Sequence, residues 1–217
     1  MDTFSTGSSL RFGWETFKRR PWFFIGVTLV ILVVSSVVKP SYAPMAYAHS
    51  ALFEIWGVIG FFLLILLDIG ATAYMLHAHD DVSSVKLSDL WHPHQYWSYL
   101  ATVIILGAGI VVGLLLFIIP GIFLIVLWMF AKYSVVDKNL GPIEALKYSA
   151  RIGAGHRWNL LLFVIALIVL NIIGAILLLV GLLVTIPVSG LAVVHAYRIL
   201  SKTASIPVAV DPQKISV

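Results

Sequence analysis

Residues 76 to 97 (LHAHDDVSSVKLSDLWHPHQYW) hold four of the chain's seven histidines and three of its ten acids. Such a mixed set suits zinc or a similar divalent metal, which accepts imidazole nitrogen and carboxylate oxygen. His77 and Asp81 stand four apart and share a helix face. His92 and His94 flank Pro93, and in extended backbone their side chains point the same way. These four residues are the metal candidates. Against them, a His-x-His pair on a helix diverges by about 200°, so His77 and His79 cannot serve one ion together. No His-Glu-x-x-His or comparable signature occurs. The plainer reading is a wet linker between two membrane segments, and it leads.

Three further polar residues lie within apolar runs. Asp68 interrupts the run from Leu52 to Leu76, where an ionised acid costs about 2.5–3.5 kcal/mol on insertion scales. Asn171 and His195 lie in later runs, and depth alone makes them candidate partners for Asp68. Such residues mark ion or proton paths, or fix helix packing by hydrogen bonds. Neither a Gly-x-Ser-x-Gly elbow nor a phosphate-cradling glycine loop is present, so an enzyme is not expected.

The elements that must position these residues follow from composition. Apolar residues make up 60% of 217 positions and charged residues 11%. A soluble core of this size cannot hide so much apolar side chain, so the bilayer is the solvent. The net charge of +4 is spread beside apolar runs, which points to anionic headgroups and away from nucleic acid. With no cysteine, thiolate metal sites and disulfides are excluded. Nor does a small-residue cleavage site follow the first apolar run, which reads as a retained span.

A span needs about 20 apolar residues. The chain therefore reads as an all-α polytopic integral membrane protein with spans over 22–38, 52–76, 97–119, 121–137, 158–181 and 184–200. Pro120-Gly121 and the stretch from Gly181 to Pro187 divide runs too long for one crossing. The six spans pair into three hairpins, and residues 203–217 form a short tail. Lysine and arginine fall thirteen to one on the side of the N-terminus, so both termini are expected in the cytoplasm, across an inner membrane. The uncharged tips LFIIPGIF and VGLLVTIPV are expected at the outer interface.

Ahead of each hairpin lies a mixed segment ending in tryptophan, over 9–21, 86–96 and 142–157. In the first, Leu10, Trp14 and Phe17 share a stripe; in the third, Ile143, Leu146 and Ile152 oppose Glu144, Lys147 and Arg151. Each is expected to lie on the cytoplasmic face, with Trp22, Trp97 and Trp158 at headgroup level and Arg19, Arg20, Arg151 and Arg157 on lipid phosphate. Ala73-Tyr74, Ala131-Lys132-Tyr133 and Ala196-Tyr197 echo one another near the ends of the second arms, the pattern of a threefold repeat. Gly109 and Gly113 form a Gly-x-x-x-Gly that permits close helix approach, within the chain or in a homo-oligomer or with a membrane-protein partner.

The run FIIPGIFLIVLWMFAKYSVVDKNLGPIEALKYSARIGAGHRWNLLLF carries a resemblance. Its pieces are the proline-glycine turn, an aromatic arm ending in Tyr133 and Asp137, and a helix with Gly141, Glu144, Ala145, Leu146 and Ser149. GWETFKRRPWFFIG adds to it near the start. The chain resembles a broad bacterial superfamily of small six-helix membrane proteins, related to the membrane domain that accompanies some glycerophosphoryl diester phosphodiesterases. The likeness runs from about residue 9 to 200 and is distinctive over 119–163. It implies a fold and transfers no catalytic residue, since the soluble phosphodiesterase barrel has no counterpart here. Three function classes result: a non-enzymatic protein interacting with anionic lipid or a membrane partner, a small transporter using Asp68, and an interfacial metalloenzyme acting on lipid.

Overall fold

The structure, a computed structural model, describes residues 4–38, 51–90, 95–177 and 180–205. Among these are nine α-helices, one 3-10 turn and no strand. They are α1 (Thr6–Arg19), α2 (Pro21–Val38), α3 (Ala51–Asp80), α4 (Tyr96–Leu116), α5 (Ile118–Trp128), α6 (Ala131–Lys138), α7 (Pro142–Ile152), α8 (Arg157–Ile176) and α9 (Leu182–Ser205). Five stretches are long and apolar enough to cross a bilayer: Gly57–Asp80, Tyr96–Leu116, Ile119–Lys138, Arg157–Ile176 and Leu182–Ala204. Pro21–Ser36 is a shorter apolar helix. Their outward faces stay apolar, with Leu32, Ile104, Val111, Ile168 and Ile172 all exposed. This is the make-up of a helical membrane protein.

The second arms carry the core. Ala73, Tyr74, Ala131, Tyr133, Ala196 and Tyr197, the residues of the three Ala-Tyr echoes, are all buried. Tyr133 and Tyr197 stack with ring centroids 6.2 Å apart. Small residue and ring together let helices approach and then fill the gap between them.

Two turns are made by close contact. Phe117 alone, in extended backbone, links α4 to α5. A Cβ at Gly113 would stand 3.1 Å from Gly121 Cα, so the arms touch where any side chain would part them. Gly174 and Gly181 repeat the device between α8 and α9, where a Cβ would stand 3.2 Å from the Gly181 carbonyl carbon. Gly109 lies under the Trp128 ring of α5. The Gly-x-x-x-Gly stripe is thus used inside its own hairpin.

The span from 119 to 138 is not one helix. It breaks at Met129 and Phe130, and α7 mends the break. Ser149 Oγ accepts from Phe130 N–H (3.2 Å) and donates to the Leu127 carbonyl (2.9 Å). Ala145, Leu146, Ser149 and Ile152 form the buried face of α7. Before it, Asn139 ends α6 in the left-handed region (φ 52°), and Pro142 occupies the first turn of α7.

Several expectations are corrected. In the first segment Phe17 is buried and Leu10 packs on the core, but Trp14 is 46% exposed and Ser9, Gly13 and Thr16 face inward instead. The reason is α9, whose Val188 carbonyl and Ala192 backbone approach Gly13 too closely for any side chain larger than hydrogen. The middle segment is no amphipathic helix among the described residues, only a 3-10 turn over Leu87–Leu90, with Leu90 carbonyl against Gly70 of α3. Pro187 lies inside α9 instead of dividing two arms. The second apolar run continues as helix to Asp80, past the expected end at Leu76.

Candidate functional site

A polar cluster joins three helices, and a fourth covers it. The last residues of α3 bring His79 and Asp80, the end of α6 brings Asp137, and α9 brings His195, Tyr197 and Arg198. Arg198 Nη1 donates to Asp137 Oδ1 (2.7 Å) and Nη2 to Asp80 Oδ2 (2.6 Å). Tyr197 hydroxyl donates to the other Asp137 oxygen (2.8 Å). His79 extends the chain, with Nδ1 3.1 Å from Asp80 and Nε2 3.1 Å from His195 Nδ1. Phe12 of α1 caps it, stacked on the His195 ring at 4.0 Å and 9°. One guanidinium between two carboxylates, with a phenol on one of them, is a strut of charge-assisted bonds holding helix ends together. Sequence reasoning named His195 here and missed Asp80 and Arg198, because each looked like an ordinary polar end of a span.

Asp68 has partners other than those expected. Tyr99 hydroxyl of α4 donates to Asp68 Oδ2 (2.6 Å), and Lys132 Nζ of α6 lies 3.4 Å from Oδ1. Thr72 Oγ1 lies 3.1 Å from the Tyr99 hydroxyl. Asn171 instead donates to Leu167 carbonyl and Ser189 Oγ, both at 2.8 Å, and ties α8 to α9. Neither Asn171 nor His195 forms a bond with Asp68. The pairing guess failed because depth along a helix does not fix which way a side chain faces.

Of the metal candidates, His77 and Asp81 turn to different partners. His77 Nδ1 faces Asp89 (3.5 Å) and the Asp81 carboxylate turns to Ser83, accepting from its backbone N–H (2.9 Å) and hydroxyl (2.5 Å). Those two bonds, the hydroxyl's first, lower the Asp81 pKa from its ordinary value. His92 and His94 lie outside the described residues. Among the described residues no three His, Asp or Glu side chains meet as a metal set.

The headgroup candidates divide. Trp22, Trp97 and Trp158 are 83%, 74% and 80% exposed and stand in the first turns of α2, α4 and α8. Arg19, Arg151 and Arg157 are exposed. Arg20 is not free for lipid: its Nη1 donates to the carbonyls of Val82, Ser83 and Val85 at 3.1–3.3 Å, and its guanidinium lies over the Phe23 ring. It clasps the turn after α3. On the outer face of α1, Arg11 and Glu15 pair at 2.8 Å, and that bond holds the Glu15 carboxyl below its usual value.

One arrangement overturns the expected separation of inner and outer ends. Arg157 guanidinium lies 5.2 Å from the Phe123 ring, three residues past Pro120. Val126 clusters with Leu160 and Phe163. Phe123 of α5 and Arg157 in the first turn of α8 therefore lie side by side. The tip FIIPGIF is not held opposite Arg157.

No family model matches the chain, and no solved structure matches it. It is similar to uncharacterised proteins of Mycobacterium tuberculosis and Mycobacterium bovis, 30% identical in each case over 121 residues, or 56% of this chain. The match covers 37% of each relative's length, so this chain corresponds to well under half of those proteins.

Proposed function

We propose that this is a non-enzymatic inner-membrane protein whose basic side binds anionic lipid headgroups at the cytoplasmic leaflet. The observation that carries the reading is the repeated opening of α2, α4 and α8 on an exposed tryptophan. Indoles favour the headgroup layer, and basic side chains beside an anionic leaflet contribute about 1 kcal/mol each. Arg19, Arg151 and Arg157 are exposed, and none forms an ion pair among the described residues. The test is native mass spectrometry of the detergent-released protein against Arg19→Gln/Arg151→Gln/Arg157→Gln, with Arg20 left intact. Loss of bound phosphatidylglycerol in the triple variant supports the reading; unchanged lipid retention overturns it.

A second reading, a small transporter, has one observation in its favour. The Asp68, Lys132 and Tyr99 cluster places an acid and a base side by side within membrane-length helices. Proton flux into dye-loaded proteoliposomes that disappears in Asp68→Asn would favour it. Equal flux in the two proteins would leave the cluster a packing device.

A further inference from the structure

Cavities on the described surface differ in chemistry. One of about 310 Å³ at α7 is lined by Leu140, Glu144, Lys147, Tyr148 and Arg151, charges of both signs with little apolar wall. One of about 440 Å³ on α8 is walled by Val164, Leu167, Ile168, Ile172 and Ala175 with Asn171, and holds no charge. A third, of about 500 Å³, lies between α5 and α8. Its lining is Ile119, Ile122, Phe123, Val126 and Leu161, with Arg157 and Trp158 as its polar-tipped members. Its volume falls in the usual range of small-molecule sites, about 300–1,000 Å³.

We infer that this groove holds a single anionic phospholipid, with Arg157 on the phosphate and an acyl chain along Ile119, Ile122 and Phe123. This rests on the lipid reading above and gives it a place. The argument is charge complementarity on an amphipathic surface. A guanidinium with no carboxylate partner among the described residues, set at the mouth of an apolar trough, matches a ligand that is anionic at one end and hydrocarbon at the other. The guanidinium lies 5.2 Å from the Phe123 ring, within cation–π reach. Ile119, Phe123 and Trp158 are 81%, 45% and 80% exposed while Val126, at the floor, is 5% exposed, so the trough is open along its length and closed beneath. The first turn of α8 has no side-chain cap, and its N–H groups add to the same positive end. A free phosphate would use the cation and waste the trough; a membrane lipid uses both.

The experiment is native mass spectrometry with equimolar phosphatidylglycerol and phosphatidylcholine of equal chain length, on wild type, Arg157→Gln, Ile122→Trp and Arg19→Gln/Arg151→Gln. Ile122 is 40% exposed, so the larger ring fills the trough from its open side, and a melting curve checks that the fold persists. The expected result is one retained phosphatidylglycerol on wild type. Arg157→Gln should lose about tenfold in retention and its preference over phosphatidylcholine. Ile122→Trp should lose both lipids, while Arg19→Gln/Arg151→Gln keeps the tight one. If Arg157→Gln retains lipid like wild type while Arg19→Gln/Arg151→Gln loses it, the groove is wrong and the broader lipid reading survives. If wild type shows no preference for the anionic lipid, both fall.

Discussion

Ser149 closes two backbone groups that the break between α5 and α6 leaves open, the Phe130 N–H and the Leu127 carbonyl. Both Ser149 and Phe130 are fully buried. Ser149→Ala removes both bonds at once and strands a donor away from water, which should cost about 1–3 kcal/mol and lower the melting temperature in detergent. Ser149→Thr, able to keep the hydroxyl, should lose less. Asp81 gives the pH-dependent case. Its folded pKa lies below the unfolded value, so the turn it makes with Ser83 is at full strength above about pH 4 and weakens as pH falls through the folded value. Protection of the Ser83 amide relative to its intrinsic exchange rate at each pH should be greatest at neutral pH, fall in acid, and be low throughout in Asp81→Ala. At this scale the sequence disclosed cost better than partnership. Asp68 was visible as an expensive residue because one acid in an apolar run stands out; Lys132 was not visible as its partner because the two are 64 positions apart.

The helices themselves were legible, since hydrophobic run length and proline-glycine punctuation depend only on neighbours in the chain. The proline-glycine pair Pro120-Gly121 sits just after the single-residue link at Phe117, within four residues of its expected place. What the runs could not reveal was a helix mended from outside. Residues 121–137 are apolar enough for one continuous span, and only the docked Ser149 shows how the chain tolerates a break there. The middle segment misled for a different reason: leucines and charges alternate over 86–96, yet Leu90 is drawn onto Gly70 and a 3-10 turn results. At this scale Gly113→Leu is the informative change. It forces a branched side chain into the contact with Gly121 and should destabilise by about 1–3 kcal/mol, read as a lower melting temperature, with no change in mass by light scattering. A stripe used between copies would instead show a loss of oligomer.

Across the whole molecule, the polar strut decides which helix ends stay together. Arg198 serves Asp80 of α3 and Asp137 of α6 from α9, so its removal leaves two carboxylates facing each other with no cation between them. Arg198→Gln should cost roughly 2 kcal/mol, less than the about 3–5 kcal/mol of a fully buried pair, because Asp80's side chain is 53% exposed. Adding Asp137→Asn should recover part of the loss in a thermal melt. The class of protein was legible from composition, but the neighbours were not. Three expected hairpins suggest equivalent placement, whereas α5 lies beside the start of α8 and α1 packs along α9. Packing of small residues such as Gly13 against backbone sets these crossings, and a glycine in sequence does not name the helix it will touch.

The placement of α1 along α9 has a consequence in time. During synthesis the segment around Gly13 leaves the ribosome long before Val188 and Ala192, the backbone it finally touches, have been made. At about 5–20 residues per second that interval is roughly 10–35 s. For its duration the glycine face of α1 and the ring of Phe12 have no dock, and the strut lacks Arg198. Of these nine helices α1 is thus among the last to settle, and while the others are made it stays available to whatever chaperone or leaflet is nearest.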